Sequence, residues 1–129
     1  IVAARGEQPS FARDLHARLV RETRDEIRSG RMENFGFEKL VQSVLIGVGA
    51  REARIIHRAL DKGADIVASS VVADAFELRI AVQAKHFRPE PPVGIDVVQQ
   101  LINGIEAESA NLGMIVTSGT ISEDATRAA

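Results

Sequence analysis

Ten consecutive residues, Phe76-Glu-Leu-Arg-Ile-Ala-Val-Gln-Ala-Lys85, alternate with the period of a β-strand. Leu78, Ile80, Val82 and Ala84 fall at every second position, between Glu77, Arg79, Ala81, Gln83 and Lys85. A strand's period of two puts these sets on opposite faces. The apolar set can lie against a core. Gln83 and Lys85 then share the other face near the strand's end. An amide oxygen beside an ammonium is half of a site for a metal ion and a phosphate.

The preceding residues offer the other half. Ala64 to Val72 is rich in small and β-branched residues and reads as a second strand, with Asp65, Val67 and Ser69 alternating against Ile66, Ala68 and Ser70. Ala73-Asp74-Ala75 is the loop between the strands. A hairpin centred on Asp74 pairs residues whose numbers sum to 148, so Asp65 falls opposite Gln83. Directly opposed side chains on one face have Cβ atoms about 5 Å apart. Lys85 is one diagonal step away. A slip of one residue would send Asp65 to the far face. Singly, each residue has an ordinary reading: Asp65 as a turn acid after Gly63, Gln83 as a solvated strand residue, Lys85 as an edge-strand charge that discourages aggregation. Those readings do not explain why all three converge.

The flanking sequence reads as helices and one more strand. Residues 1–9 carry no pattern, with Gly6 to Pro9 as a loop and Ser10 as an N-cap. Phe11, Leu15, Leu19 and Ile27 recur at helical spacing to about Ser29, on an amphipathic helix with a mixed-charge face that is short for a coiled coil. Asn34 opens a second helix, to about Gly47. Its residues Phe37, Leu40, Val41, Val44, Leu45 and Val48 fill an arc of roughly 140°, and Glu38 lies about 20° beyond it. That acid is either a first-turn residue favoured by the helix dipole or a carboxylate held at the margin of the core. Gly47-Val-Gly49 breaks the helix, and Ala50 to about Leu60 is extended. His86 to Pro92 reads as a proline-stiffened loop with His86 at the surface. Gly94 to about Asn111 is a third helix, with Val98, Leu101, Ile102 and Ile105 inward. Gly104 interrupts its stripe, which suggests close packing on the sheet. Leu112 to Thr117 is nearly all apolar, as in a strand buried on both sides. Ser122 caps a last helix. The third strand, crossover helix and final strand make a βαβ unit, so the sheet is expected to be mixed.

Composition narrows the functional classes. The chain has 129 residues, no cysteine and a net charge of −2. It is long enough for one core. Thiolate metal sites and disulfides are excluded. No apolar run approaches the ~20 residues of a membrane span. The net charge does not suit indiscriminate nucleic-acid binding, so a DNA contact needs a local basic surface. Arg51, Arg54, Arg58, Lys62 and Arg88 could border one. Three dispersed histidines do not form a metal cluster. Ile1 stands where a start methionine would, so the chain reads as a fragment with partner domains absent.

Four segments bring these residues to a known family. Phe37-Glu-Lys-Leu-Val, Lys62-Gly-Ala-Asp-Ile-Val67, Val82-Gln-Ala-Lys85 and Gly113-Met-Ile-Val-Thr-Ser-Gly119, with Ser122 and Ala125, follow in order. Together they resemble the Mrr-type catalytic domain of the restriction-endonuclease-like nucleases, whose PD-(D/E)xK motif is an Asp followed by (Asp/Glu)-x-Lys. The resemblance covers roughly residues 33 to 129. It implies an α/β fold, a three-layer core of mixed sheet flanked by helices in the order αβββαβ. This gives an N-terminal helical extension over 1–32 and an endonuclease domain over 33–129. It also implies a cytoplasmic type IV restriction endonuclease that hydrolyses DNA phosphodiesters with Mg²⁺, or Mn²⁺ in its place. Carried over residue by residue, Asp65 is the metal-binding acid, and Gln83 stands where many relatives have an acid. Ala84 lends a backbone carbonyl to the metal, Lys85 is the catalytic lysine and Glu38 the first-helix acid. Thr117 and Ser118 are either phosphate donors or a plain loop.

Two rival functions share this pattern. One is a structure-selective nuclease of the Holliday-junction-resolvase kind, for which a symmetric homodimer would be evidence. The other is a nucleic-acid-binding or oligomerising module with a vestigial site.

Overall fold

The computed structural model describes residues 2–29, 31–56, 63–86 and 91–129, with the backbone alone for residues 2–10. It divides into two compact units, Ile1–Met32 and Glu33–Ala129. The first is a single helix, α1 (Val2–Arg28). It begins well before the expected cap at Ser10 and runs through Gly6 and Pro9. Glycine and proline are penalties on a helix rather than prohibitions, and proline's fixed φ is itself helical. Phe11, Leu15 and Leu19 are exposed on it. No helix among the described residues is long and apolar enough to cross a membrane.

The second unit holds the sheet. Its elements are α2 (Asn34–Gly47), β1 (Glu52–Ile55), β2 (Ile66–Val72), β3 (Phe76–Lys85), α3 (Ile95–Ala107), β4 (Leu112–Thr117) and α4 (Glu123–Ala128). The strands lie in the order β1-β2-β3-β4. The first three form an antiparallel meander, and β4 joins β3 in parallel after the α3 crossover. This is the α/β architecture expected, a mixed sheet with flanking helices. Helix α2 packs on β1, β2 and β3, whereas α3 packs on β3, β4 and α4.

The β2–β3 ladder has the expected register. Ile66 pairs with Val82 and Val72 with Phe76, so paired numbers sum to 148. The three-residue loop between them holds Ala73 and Asp74 at φ +52° and +55°. Strand β3 departs from the simple alternation at its C-terminal half. Ala81, Val82, Gln83 and Ala84 are all buried. The crossover helix covers the face expected to be wet: Ala81 clusters with Ala64 and Leu101, and Ile105 and Ile115 close around them. Ile66, Ala68 and Val82, on the other face, are buried with Phe37, Val41 and Leu45 of α2. Full burial of each larger aliphatic or aromatic side chain contributes about 1.5–3 kcal/mol.

Strand β4 is an edge, not the doubly buried strand its apolar run suggests. Leu112 is 52% exposed and Met114 40%. Apolar content reports that a segment packs on something, but the position of a strand in the sheet is set by topology. Helices α2 and α3 end as their glycine and polar residues dictate. Gly49 takes φ +113° while Ala50 N–H donates to the Leu45 carbonyl. Ser109, at φ +49°, does the same for α3, with Ala110 N–H donating to the Ile105 carbonyl. Both are Schellman endings. Helix α3 therefore stops at Ala107, short of the expected Asn111. Asn111 instead ties β4 to β3, its side-chain oxygen accepting from Arg79 N–H at 2.8 Å and its N–H donating to the Arg79 carbonyl at 2.8 Å. Ser122 caps α4, accepting from Ala125 N–H at 3.2 Å.

Candidate active site

The position of Asp65 depends on two glycines. Gly63 turns with φ +87°, a conformation that disfavours a side chain, and a Cβ there would collide with the Gln100 carbonyl of α3. Opposite it, a Cβ on Gly104 would lie 2.9 Å from the backbone of Gly63 and Ala64. The helix-interior glycine thus lets α3 lie directly on the chain that leads into β2. This close approach is the packing that the sequence suggested for Gly104.

Three backbone contacts then fix Asp65. Its carbonyl accepts from Ile56 N–H at 2.8 Å, its N–H donates to the Val82 carbonyl at 2.9 Å, and its Oδ2 accepts from Ala84 N–H at 2.8 Å. Regular pairing would join residues summing to 148, and the bond from Asp65 to Val82 sums to 147. The ladder therefore ends at Ile66, and Asp65 is not a regular partner of Gln83. The chain leaves the register as it emerges from the Gly63 turn. Such departures re-aim a side chain, and here the carboxylate reaches the backbone between Gln83 and Lys85.

Glu38, Asp65, Gln83, Ala84, Lys85 and His86 line one cleft of about 760 Å³. Residues of α3, including Gln100 and Asn103, line it as well. All five residues singled out by the sequence are thus gathered at the C-terminal end of β3. Glu38, on the margin of the helix wheel, is 6% exposed, and Gln83 is 3% exposed. Lys85 and Asp65 are half-buried.

Gln83 carries an unusual feature. Its Oε1 is buried and has no hydrogen-bond partner. An unpaired buried amide oxygen costs about 1–3 kcal/mol. The same cleft is lined by Asp65, whose carboxylate meets Ala84 N–H, and by Ala84 itself. No group of three or more His, Cys, Asp or Glu among the described residues could hold a metal ion. The donors gathered here are instead a carboxylate, an amide oxygen and a carbonyl. These hard oxygens fit Mg²⁺ or Mn²⁺, which take such ligands and keep several waters.

His86 is not the surface residue expected. Its ring stacks on Phe37 of α2, with centroids 5.1 Å apart and planes 28° apart. Its Nδ1 lies 2.8 Å from Ser118 Oγ. Sequence reasoning missed it because both partners are distant along the chain, and a loop histidine carries no periodic signal. Ser118 is thus engaged with His86, and Thr117 Oγ1 accepts from Gly119 N–H at 3.0 Å. Of the proposed basic border, Arg54 lines a separate hollow of about 160 Å³ with Ser69 and Arg79. Arg51 is exposed. Arg58, Lys62 and Arg88 lie outside the described residues.

Comparison with known proteins agrees with this architecture. A family model, Mrr_cat, described as a restriction endonuclease, matches residues 29–129. Among solved structures, the DNA modification-dependent restriction endonuclease AspBHI superposes with a TM-score of 0.64 at 23% identity. The match covers 83% of this chain and 29% of that one, so the chain spans less than a third of that protein's length. No curated protein matches the chain.

Proposed function

The chain belongs to the Mrr_cat family of restriction endonucleases, and we propose that it is a divalent-metal-dependent DNA endonuclease domain whose reaction centre is the cleft at the end of β3. The observation that carries this reading is the gathering of Asp65, Gln83, Lys85 and Glu38 in one cleft, with the Gln83 oxygen buried and unpaired. Asp65, Gln83 and the Ala84 carbonyl would hold Mg²⁺ or Mn²⁺. That ion would offset charge on the attacked phosphate and make a water more acidic.

The chain's own groups have separate tasks. The Asp65 carboxylate is held against Ala84 N–H, so it needs little reorganisation to receive a cation. Lys85 presents its ammonium where negative charge grows on the phosphoryl oxygens, and it orients the attacking water. Glu38 accepts a hydrogen bond from water at the cleft's α2 side. Gln83 in place of an acid leaves the site with one fewer negative charge, so substrate phosphate contributes to cation binding. The substrate is DNA. Restriction is of the type IV, modification-dependent kind, with recognition residing outside the stretch described here, and residues 1–32 are a helical extension to the catalytic domain.

Incubation of plasmid DNA with the chain and Mg²⁺ or Mn²⁺ tests the proposal. Wild type should nick or linearise the plasmid. Lys85→Ala and Asp65→Ala should each lower the rate by about a hundredfold to a thousandfold, as loss of a key transition-state contact does, while keeping the circular-dichroism spectrum. A folded wild type that binds DNA but cuts none with either ion would sink the proposal and favour the non-catalytic module.

A further inference from the structure

Resting on the nuclease reading above, we infer that the cleft-facing stripe of α3 is the track along which the DNA strand lies, with the Gln100 side-chain amide donating a hydrogen bond to a phosphate next to the one that is cut. Asp96, Gln100, Asn103 and Ala107 of α3 all line the cleft. Their spacing gathers them in an arc of about 60° on the helix. The buried residues Val98, Leu101 and Gly104 turn away from that arc. At 1.5 Å per residue the wall from Asp96 to Ala107 runs roughly 16 Å. Each strand of a duplex carries a phosphate about every 3.4 Å of axis. Such a wall therefore faces more than the single phosphate that Lys85 meets.

Charge decides which kind of group can hold those further phosphates. Glu38, Asp65 and Asp96 bring three carboxylates to the cleft, against one lysine, Lys85, among the described residues that line it. One divalent cation would only cancel the remainder, so a neighbouring phosphate meets no surplus of positive charge. A neutral N–H donor can still pair with it. Gln100 supplies that donor. Its side chain is exposed rather than committed to the core. Its backbone is fixed, because the Gln100 carbonyl abuts Gly63, two residues before Asp65, and Gly104 admits the same close contact one turn later. The amide's point of attachment is thereby set with respect to Asp65. An amide can turn its NH₂ toward an acceptor about its last bond, so the donor role needs no particular orientation at rest. Asn103, further along the stripe, already has its side-chain oxygen against Gln99 Nε2 at 3.5 Å.

Affinity for a short fluorescein-labelled DNA duplex, read by anisotropy over a range of salt concentrations, tests this. CaCl₂ is present to fill the oxygen site, gels check that the duplex stays intact, and circular dichroism checks that each variant is folded. Gln100→Ala should weaken binding about tenfold to a hundredfold, as loss of a hydrogen bond to a charged acceptor does. Its salt dependence should match wild type, because a neutral donor releases no counterion. Gln100→Lys should recover affinity at low salt and steepen the slope of log affinity against log salt by about 0.9. Labelling separates contact from a merely structural role. The chain has no cysteine, so Gln100→Cys and Ile102→Cys each carry a single thiol. Saturating duplex should protect the thiol at position 100 from a maleimide and leave the one at position 102, on the exposed side of α3, reactive. Wild-type affinity in Gln100→Ala, an unchanged slope in Gln100→Lys, equal labelling behaviour at the two positions, or a wild type that binds no duplex overturns the inference. Because binding and labelling do not depend on cleavage, a wild type that binds but cuts nothing with Mg²⁺ or Mn²⁺ counts against the nuclease reading alone.

Discussion

At the scale of the residue, the site combines one feature that was legible in the sequence with one that was not. Gln83 was legible: its parity along β3 sets it on the same face as Lys85, and parity follows from backbone geometry alone. That its oxygen would be buried without a partner was not, because burial depends on α3 closing over the face. A direct consequence concerns charge. Gln83→Glu should raise affinity for Mn²⁺ in the absence of DNA by about tenfold, since ligand charge count tunes such sites. Calorimetric titration of the two proteins with MnCl₂ measures it, and equal affinities would mean that this oxygen does not face the ion. His86 illustrates the opposite case. Its contacts to Phe37 and Ser118 span 49 and 32 residues along the chain, so no local pattern announces them.

At the scale of the element, two devices position the site. The first is the contact between Gly104 and the chain at Gly63 and Ala64. A methyl group at Gly104 must push α3 away from the entry to β2. Gly104→Ala should therefore cost about 1–3 kcal/mol of stability by overpacking. It should also lower kcat by roughly a hundredfold, because catalysis is sensitive to displacement on the scale of an ångström. Gly113→Ala is the control: the atoms nearest its Cβ belong to the side chains of Leu101 and Ile105, so it should lower Tm without the kcat loss. The second device is the β2–β3 hairpin, whose loop carries strain at its tip. Ala73 adopts a left-handed φ of +52°, a conformation costing a non-glycine residue about 1–2 kcal/mol. Ala73→Gly should raise stability by about 0.5–1 kcal/mol, offset in part by glycine's greater freedom when unfolded. A urea midpoint that falls instead would show that the loop gains more from the alanine than it loses. The hairpin's register was readable because the short loop and both alternations agree. The exit of Asp65 from that register was not, since it arises where the Gly63 turn meets α3.

At the scale of the whole molecule, the core of the second unit is made from its own residues: Phe37, Val41 and Leu45 of α2, Ile66, Ala68 and Val82 of the sheet, Val97, Val98 and Leu101 of α3. A chain of residues 33–129 should therefore fold alone, melting within a few degrees of the full chain and retaining plasmid cleavage. Loss of the cooperative transition would show that α1 is required. The sequence by itself determined the order of the elements, the mixed sheet and the shared face of Gln83 and Lys85, because alternation, helical spacing and turn chemistry are properties of neighbouring residues. That β4 is an edge strand and that α3 covers the polar face of β3 were decided by tertiary structure. So were the shift of Asp65 toward Ala84 and the seating of His86 against Phe37 and Ser118. Each of these depends on surfaces brought together from distant parts of the chain, and local pattern carries no record of what will cover a face. The strand from Phe76 to Lys85 shows both: its two faces were set by the period of the backbone, and the cleft at its end is lined by residues of α2 and α3 as well as its own.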